Sequence, residues 1–255
     1  SYMWVYRTGK YDHPIVLYDY QPSRSGKNPQ VFLKGFKGYL HTDGYQGYNN
    51  LEGIIRVGCF AHARRNFTDA LKALPKDAKR MRTKANQGLN YIRQLYKIES
   101  KIRDLSIEDR LKYRLEESQP ILDAFSAWLN EQSALALPKS KLGKAIEYTM
   151  NQWDYLKNYL LDGRLEIDNN RTERSIKPFV IGRKGWLFSN TPKGASSSAI
   201  IYSIIETAKE NKLKPFYYLK YLLEQIPNID QTQDECIDQL LPWSESLPND
   251  IKQNR

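Results

Sequence analysis

The sequence predicts an α/β protein whose strand-bearing parts are separated by an all-helical block. Three observations lead to this fold class. Runs of aromatic and β-branched residues, broken by glycine and proline, fill the stretch from Met3 to Cys59. Strand signals then vanish until about Leu161, and apolar residues recur at helical spacing instead. Beyond a basic segment around Glu173, two further helical stripes follow.

Taken in order, Met3 to Arg7 predicts a strand, and Pro14 to Tyr20 its hairpin partner across Thr8 to His13. Pro29 at a first helical position predicts a short helix with Val31, Phe32 and Phe36 on one face. Gly38 to Gly44 is a short strand running into a turn, and Ile54 to Cys59 is another strand. Phe60, Ala63, Phe67, Ala70, Leu71 and Leu74 mark a helix. Three stripes then make the helical block. They run from Leu89 to Leu105, from Ile121 to Leu129 after Pro120, and from Leu142 to Leu160 after Pro138. Asp162-Gly163 ends it as a helix C-terminus. Pro178, Gly182 and Gly185 predict an irregular basic segment, and Ser189 to Gly194 a polar loop. A buried helix carrying Ile200, Ile201, Ile204 and Ile205 follows, then one from Pro215 with Phe216, Leu219, Leu222, Leu223 and Ile226. The polar, acidic tail offers Leu240, Leu241 and Trp243 as a docking patch. The expected division is residues 1–74 and 162–227 as two parts of one core, 75–161 as the insertion, and 228–255 as a tail.

The 255 residues suffice for a proper core, and a net charge of +10 favours a polyanionic partner. No apolar run approaches the roughly 20 residues needed to span a bilayer, and no signal-peptide pattern opens the chain, so nucleic acid is preferred to a membrane surface. Cys59 and Cys236 are too few for a disulfide framework, which fits a reducing cytoplasm.

Two acids stand out. Asp43 ends a strand and precedes Gly44, where α/β folds present catalytic groups; Asp-Gly is also a common turn pair. Glu173 lies among Arg171, Arg174, Lys177, Arg183 and Lys184, a carboxylate among cations that suits a metal-assisted reaction on phosphates. It equally fits a capping box with Asn170, and Asp168 and Asn169 offer further caps. Glu166, between Leu165 and Ile167, is a rival acid whose alternation suits the surface. Cys59 and His62 make half a zinc site, and two ligands do not make one. Arg64 and Arg65 beside them extend the basic surface, and Trp186 and Phe188 interleave with the later bases, which suits stacking on unpaired bases.

Four stretches occur in register. They are Tyr39-Leu40-His41-Thr42-Asp43-Gly44-Tyr45-Gln46-Gly47-Tyr48, Val57 to Arg65 around Cys59 and His62, Asn169-Asn170-Arg171-Thr172-Glu173-Arg174, and Gly182 to Phe188. With them the chain resembles, along essentially its whole length, the bacterial insertion-sequence transposases of family sixty-six, the transposase C type. The resemblance implies an RNase H-like core, a mixed sheet flanked by helices, with an α-helical insertion before its last acid. It implies a DDE acid triad holding two divalent ions, Mg²⁺ or Mn²⁺, that cuts and joins DNA. Asp43 matches the second aspartate and Glu173 the glutamate, 130 residues apart, with the insertion accounting for the gap. The Cys59–His62 element matches one whose role is local architecture. DNA, both element ends and target, is the implied partner, in a homo-oligomeric complex.

One departure matters. The first aspartate belongs on a strand just before Met3, and of the early acids Asp12 falls in a turn and Asp19 on the wrong strand. The expectation is a fragment truncated at its first strand, without the N-terminal DNA-recognition regions and catalytically inactive as it stands. Two other readings stay open: a basic α/β module that binds nucleic acid without chemistry, and a related nuclease that hydrolyses without joining.

Overall fold

The computed structural model describes residues 1–75, 83–186 and 191–253. It shows a mixed α/β protein with small sheets in which helices dominate. The chain divides into two compact units, Ser1–Ser25 with Arg171–Arg255, and Gly26–Asn170.

In the first unit, β1 (Tyr2–Arg7) and β2 (Val16–Gln21) form the expected antiparallel hairpin, in register from Tyr2↔Gln21 to Arg7↔Val16. Alternation turns Val16 and Tyr18 inward, where they meet Ala199. That alanine lies on α9 (Pro192–Glu210), which packs along β2. Polar groups seal the contact. Thr207 Oγ1 accepts the Val16 N–H and donates to the Val16 carbonyl, both at 3.0 Å, and Ser203 Oγ accepts the Tyr18 N–H at 2.8 Å. One helix turn thus satisfies three outward backbone groups of β2, which would otherwise need a strand. The basic segment is α8 (Asn170–Trp186), which turns Ser175, Ile176 and Phe179 toward Tyr18 and Tyr202. α10 (Pro215–Gln225) and the short α11 (Asp234–Asp238) follow. Tyr218 and Leu222 of α10 share a cluster with Ala208, Leu213, Leu240, Leu247 and Ile251, so the tail docks. Trp243 stacks on His13, rings 4.7 Å apart.

The second unit opens with α1 (Lys27–Phe32), followed by β3 (Gly38–His41) and β4 (Ile54–Val57), a parallel pair in register from Gly38↔Ile54 to His41↔Val57. α2 (Phe60–Lys72) buries Phe60, Ala63, Phe67 and Ala70. The helical block comprises α3 (Lys84–Lys101), α4 (Ile107–Tyr113), α5 (Gln119–Leu135), α6 (Lys141–Asn151) and α7 (Trp153–Leu156), with a π-helical stretch at Arg114–Ser118. Leu89, Ile92, Leu95, Leu122, Phe125, Trp128, Leu129, Ile146 and Leu156 converge with Phe60 and Phe67 in one core. Inside it Arg114, fully buried, grips both oxygens of Glu99 and donates to the carbonyls of Tyr159, Asp162 and Leu165. Those three carbonyls lie on the segment that leads out of the block toward α8.

Several local expectations need correction. The segment from Asn170 to Trp186 is continuous helix with Pro178 inside it, not irregular. Proline costs one backbone bond and crowds the preceding turn, and aromatic packing of Phe179 beside it offsets that cost. Pro192 to Gly194 are helical rather than loop, because Thr191 caps α9 by accepting the Gly194 N–H. α9 buries its small and hydroxyl residues, and Ile200 and Ile201 are exposed. Phe216 and Leu223 of α10 are exposed as well, as are Val31, Phe32 and Phe36, while Pro29 is the third residue of its helix and is buried. The helix α4 lies where no apolar stripe pointed. The predicted positions Ser189, Leu187 and Phe188 lie outside the described residues, as do the side chains of Lys184 and Trp186. No helix among the described residues is long and apolar enough to cross a membrane.

Candidate active site

Asp43 stands two residues past the end of β3 in the second unit. Thr42 extends the strand by one bond, its N–H to the Val57 carbonyl at 3.0 Å. The Asp43 carboxylate then folds back, Oδ1 accepting the Tyr45 N–H at 3.0 Å. This is an Asx turn. No hydrogen bond reaches Oδ2 among the described residues.

A buried arginine fixes this turn. Arg56, on β4 and 5 % exposed, donates to Thr42 Oγ1, to the carbonyl of Asp43 and to Asn49 Oδ1. Its guanidinium lies 4.0 Å from the ring centroid of Tyr155. Burial lowers the Arg56 pKa, and the Tyr155 phenol and the charge of Asp43 oppose that shift. Sequence reasoning missed this residue because it sits in a four-residue strand as one charge among apolar neighbours. Its alternation with Ile55 and Val57 was the available signal.

Cys59 and His62 open α2, with Cys59 Sγ and a ring nitrogen of His62 within 4.8 Å. Within this unit no third His, Cys, Asp or Glu ligand joins them among the described residues. The sulfur accepts the Asn169 N–H at 3.4 Å, and the Phe60 N–H reaches the Ile167 carbonyl at 3.1 Å. Burial pushes the Cys59 thiol up to about 11, so it stays protonated. Arg64 and Arg65 are exposed on α2, and the Arg64 guanidinium lies 5.3 Å from the ring of Tyr96. Tyr96, on α3, donates to Asp168 Oδ2 at 2.7 Å, and that carboxylate also accepts the N–H and side-chain amide of Asn170, the first residue of α8. Asp168 therefore takes the capping role that three residues competed for. Glu166 is half-buried, its N–H near His41 Nε2 at 3.4 Å, rather than freely exposed.

The first unit holds Arg171, Glu173, Arg174, Lys177 and Arg183. Glu173 is half-buried in the first turn of α8, where the helix N-terminus favours a negative charge. Arg7 on β1 ties that turn down, donating to the Arg171 carbonyl at 3.2 Å and to Ser175 Oγ at 2.8 Å, and it pairs with Glu210. Arg174, Lys177 and Arg183 are exposed, in company with Val180 and Ile181. The structure therefore groups Asp43, Cys59, His62, Arg64, Arg65 and Asn170 in one unit and the remaining described site residues in the other.

Comparison with known proteins adds a second line. The Transposase IS66 family matches residues 1–197, and the IS66 C-terminal element residues 203–243. Two relatives from Sinorhizobium fredii, both described as uncharacterized, are y4hP, 30 % identical over 90 % of this chain, and y4jD, 33 % identical over 91 %. The chain spans 44 % and 46 % of their respective lengths. No solved structure matches it. Asp43, the Cys59–His62 element and Glu173 all fall inside the longer matched region, and the chain belongs to the IS66 family of transposases.

Proposed function

We propose that this chain carries two carboxylates, Asp43 and Glu173, of a divalent-metal site that cuts and joins DNA by in-line phosphoryl transfer on an RNase H-like framework. The family match across both acids carries the reading. The donor chemistry fits. Asp43 presents a carboxylate oxygen that no hydrogen bond occupies among the described residues, and oxygen donors suit Mg²⁺ or Mn²⁺. Cys59 and His62 suit softer ions, but the sulfur already accepts a backbone N–H and its thiol is held neutral. Bound divalent ions would supply charge stabilisation to the attacking and leaving oxygens.

The protein's own groups do the rest. Arg56 holds the Asp43 turn in one conformation, so the carboxylate needs little reorganisation to bind. The Tyr96–Asp168–Asn170 bonds and Arg7 set the first turn of α8, which bears Glu173. Exposed Arg174, Lys177 and Arg183, with Arg64 and Arg65, would neutralise backbone phosphates and bind DNA with little sequence reading. The active complex is proposed to be multimeric, as transposition joins several DNA ends.

The Asx turn favours a second reading, in which Asp43 is a turn residue and Glu173 a helix-start acid of a DNA-binding module. Asp43→Asn and Glu173→Gln separate the two. Asparagine keeps the turn and glutamine keeps the helix start, so the binding module predicts unchanged behaviour. The catalytic reading predicts loss of Mg²⁺-dependent nicking and joining in the protein at its full encoded length, with DNA binding in EDTA retained.

A further inference from the structure

Gly44 follows Asp43 immediately, and the helical block presses against it. A Cβ on Gly44 would stand 3.1 Å from Tyr148 Cε2, 3.2 Å from the Tyr148 hydroxyl and 3.4 Å from Gln152 Cδ. Tyr148 lies on α6, and Gln152 follows that helix one turn later. Ala145, Ile146 and Thr149 of the same helix are buried, and the Tyr148 ring packs against that core, so it is delivered from a rigid support. The ring is half-buried. Its hydroxyl makes no hydrogen bond among the described residues and is not fully buried. A donor without a partner thus sits on the backbone beside a carboxylate.

From this juxtaposition we propose that Tyr148 is a substrate-contacting residue of the Asp43 site, its phenol donating a hydrogen bond to a non-bridging oxygen of the phosphodiester held there. The inference rests on the catalytic reading of Asp43 and gives the helical block a part in the chemistry. Three further facts support it. Burial raises the pKa of the phenol, so the group remains a donor at neutral pH. Arg56 and Arg65 act on the same phenol in the opposite sense, which places positive charge around it. Gly44 leaves the space that a side chain would otherwise take between the ring and the strand end.

A donor that meets charge building on a phosphate oxygen acts on the chemical step more than on binding. The test is Mg²⁺-dependent nicking, under single turnover, of a supercoiled plasmid carrying the gene and its flanking DNA, by the protein at its full encoded length. Tyr148→Phe keeps the ring packing and removes only the hydroxyl. The expected result is a fall in the maximal rate on the order of 10²-fold, with half-saturating DNA concentration and thermal midpoint unchanged. A Tyr148→Phe rate within about threefold of the parent, alongside an inactive Asp43→Asn, overturns the role of Tyr148 and leaves the catalytic reading standing. Full nicking by Asp43→Asn overturns the catalytic reading itself, and this proposal with it. A Tyr148→Phe protein that loses DNA affinity but keeps its maximal rate also overturns the proposal, since it would make the phenol a binding contact only.

Discussion

Arg114 meets Glu99 through two parallel hydrogen bonds of 2.7 Å, with no part of the arginine reaching solvent. Arg110 approaches the same carboxylate at 3.8 Å. A buried ion pair is costly to assemble and costlier to break. Arg114→Ala would strand the Glu99 charge and three carbonyls, and a loss of about 3–5 kcal/mol in urea unfolding is expected. A loss below about 1 kcal/mol would show that the exit segment holds its shape without this arginine.

Tyr96→Phe removes one donor to Asp168 and nothing else. A hydrogen bond to a charged group contributes roughly 1.5–3 kcal/mol, so unfolding stability should fall by about that much. Amide exchange at Asn170 and Arg171 should quicken first, because the start of α8 loses its anchor; uniform exchange changes across the chain would argue against this.

Two glycines should respond oppositely to alanine. A Cβ on Gly163 would fall 1.9 Å from the Ile107 carbonyl oxygen, so Gly163→Ala must displace backbone and should cost on the order of 2 kcal/mol or more. On Gly185, inside α8, a Cβ meets nothing within 4 Å. Gly185→Ala should therefore stabilise by about 0.5–1 kcal/mol through helix propensity. Thermal melts of the pair decide the matter.

Cys59 should resist alkylation. Its pKa is raised to about 11, and the reactive thiolate is then on the order of one part in 10⁴ at neutral pH. In EDTA, iodoacetamide should label the half-buried Cys236 first, and labelling of Cys59 should climb as pH rises toward 11. The same shift makes folding stability complete below the unfolded thiol's pKa near 9 and diminishes it between 9 and 11. Rapid labelling of Cys59 at pH 7 would contradict its burial.

Arg174, Lys177 and Arg183 should report on DNA through salt. If each neutralises one phosphate of a duplex, each alanine substitution lowers the slope of log affinity against log salt by about 0.9. An unchanged slope in the triple variant would take α8 out of the DNA contact.

Much of the architecture was legible in the chain. The hairpin, the strands at Gly38 and Ile54 and most of the helices follow from alternation and helical spacing, whereas the parallel pairing of those two strands was not among the expectations. The failures have physical causes. α4 carries Glu108, Asp109, Arg110 and Lys112 and buries an arginine, so hydropathy was silent, although Ser106 three residues before Asp109 gave a cap signal. α9 buries alanine and hydroxyls because it lies close on a strand, and a hydropathy reading therefore picks its outer isoleucines. At the proposed site, Asp43, Glu173 and the cysteine–histidine element were visible as motifs. Arg56 and Tyr148 were not, since Arg56 reaches the Asp43 carbonyl and Tyr148 reaches Gly44 through tertiary packing, from positions 13 and 104 residues away.

The hydroxyls of Ser203 and Thr207 give the hairpin a polarity of growth. With the outer flank of β2 covered by a helix, the flank of β1 is the one left to offer ladder groups to a newcomer, since among the described residues β1 pairs with β2 alone. A sheet with two open flanks can grow both ways; a sheet with one can be extended on that side alone. Two side-chain oxygens thus give an adhesive ribbon a front and a back.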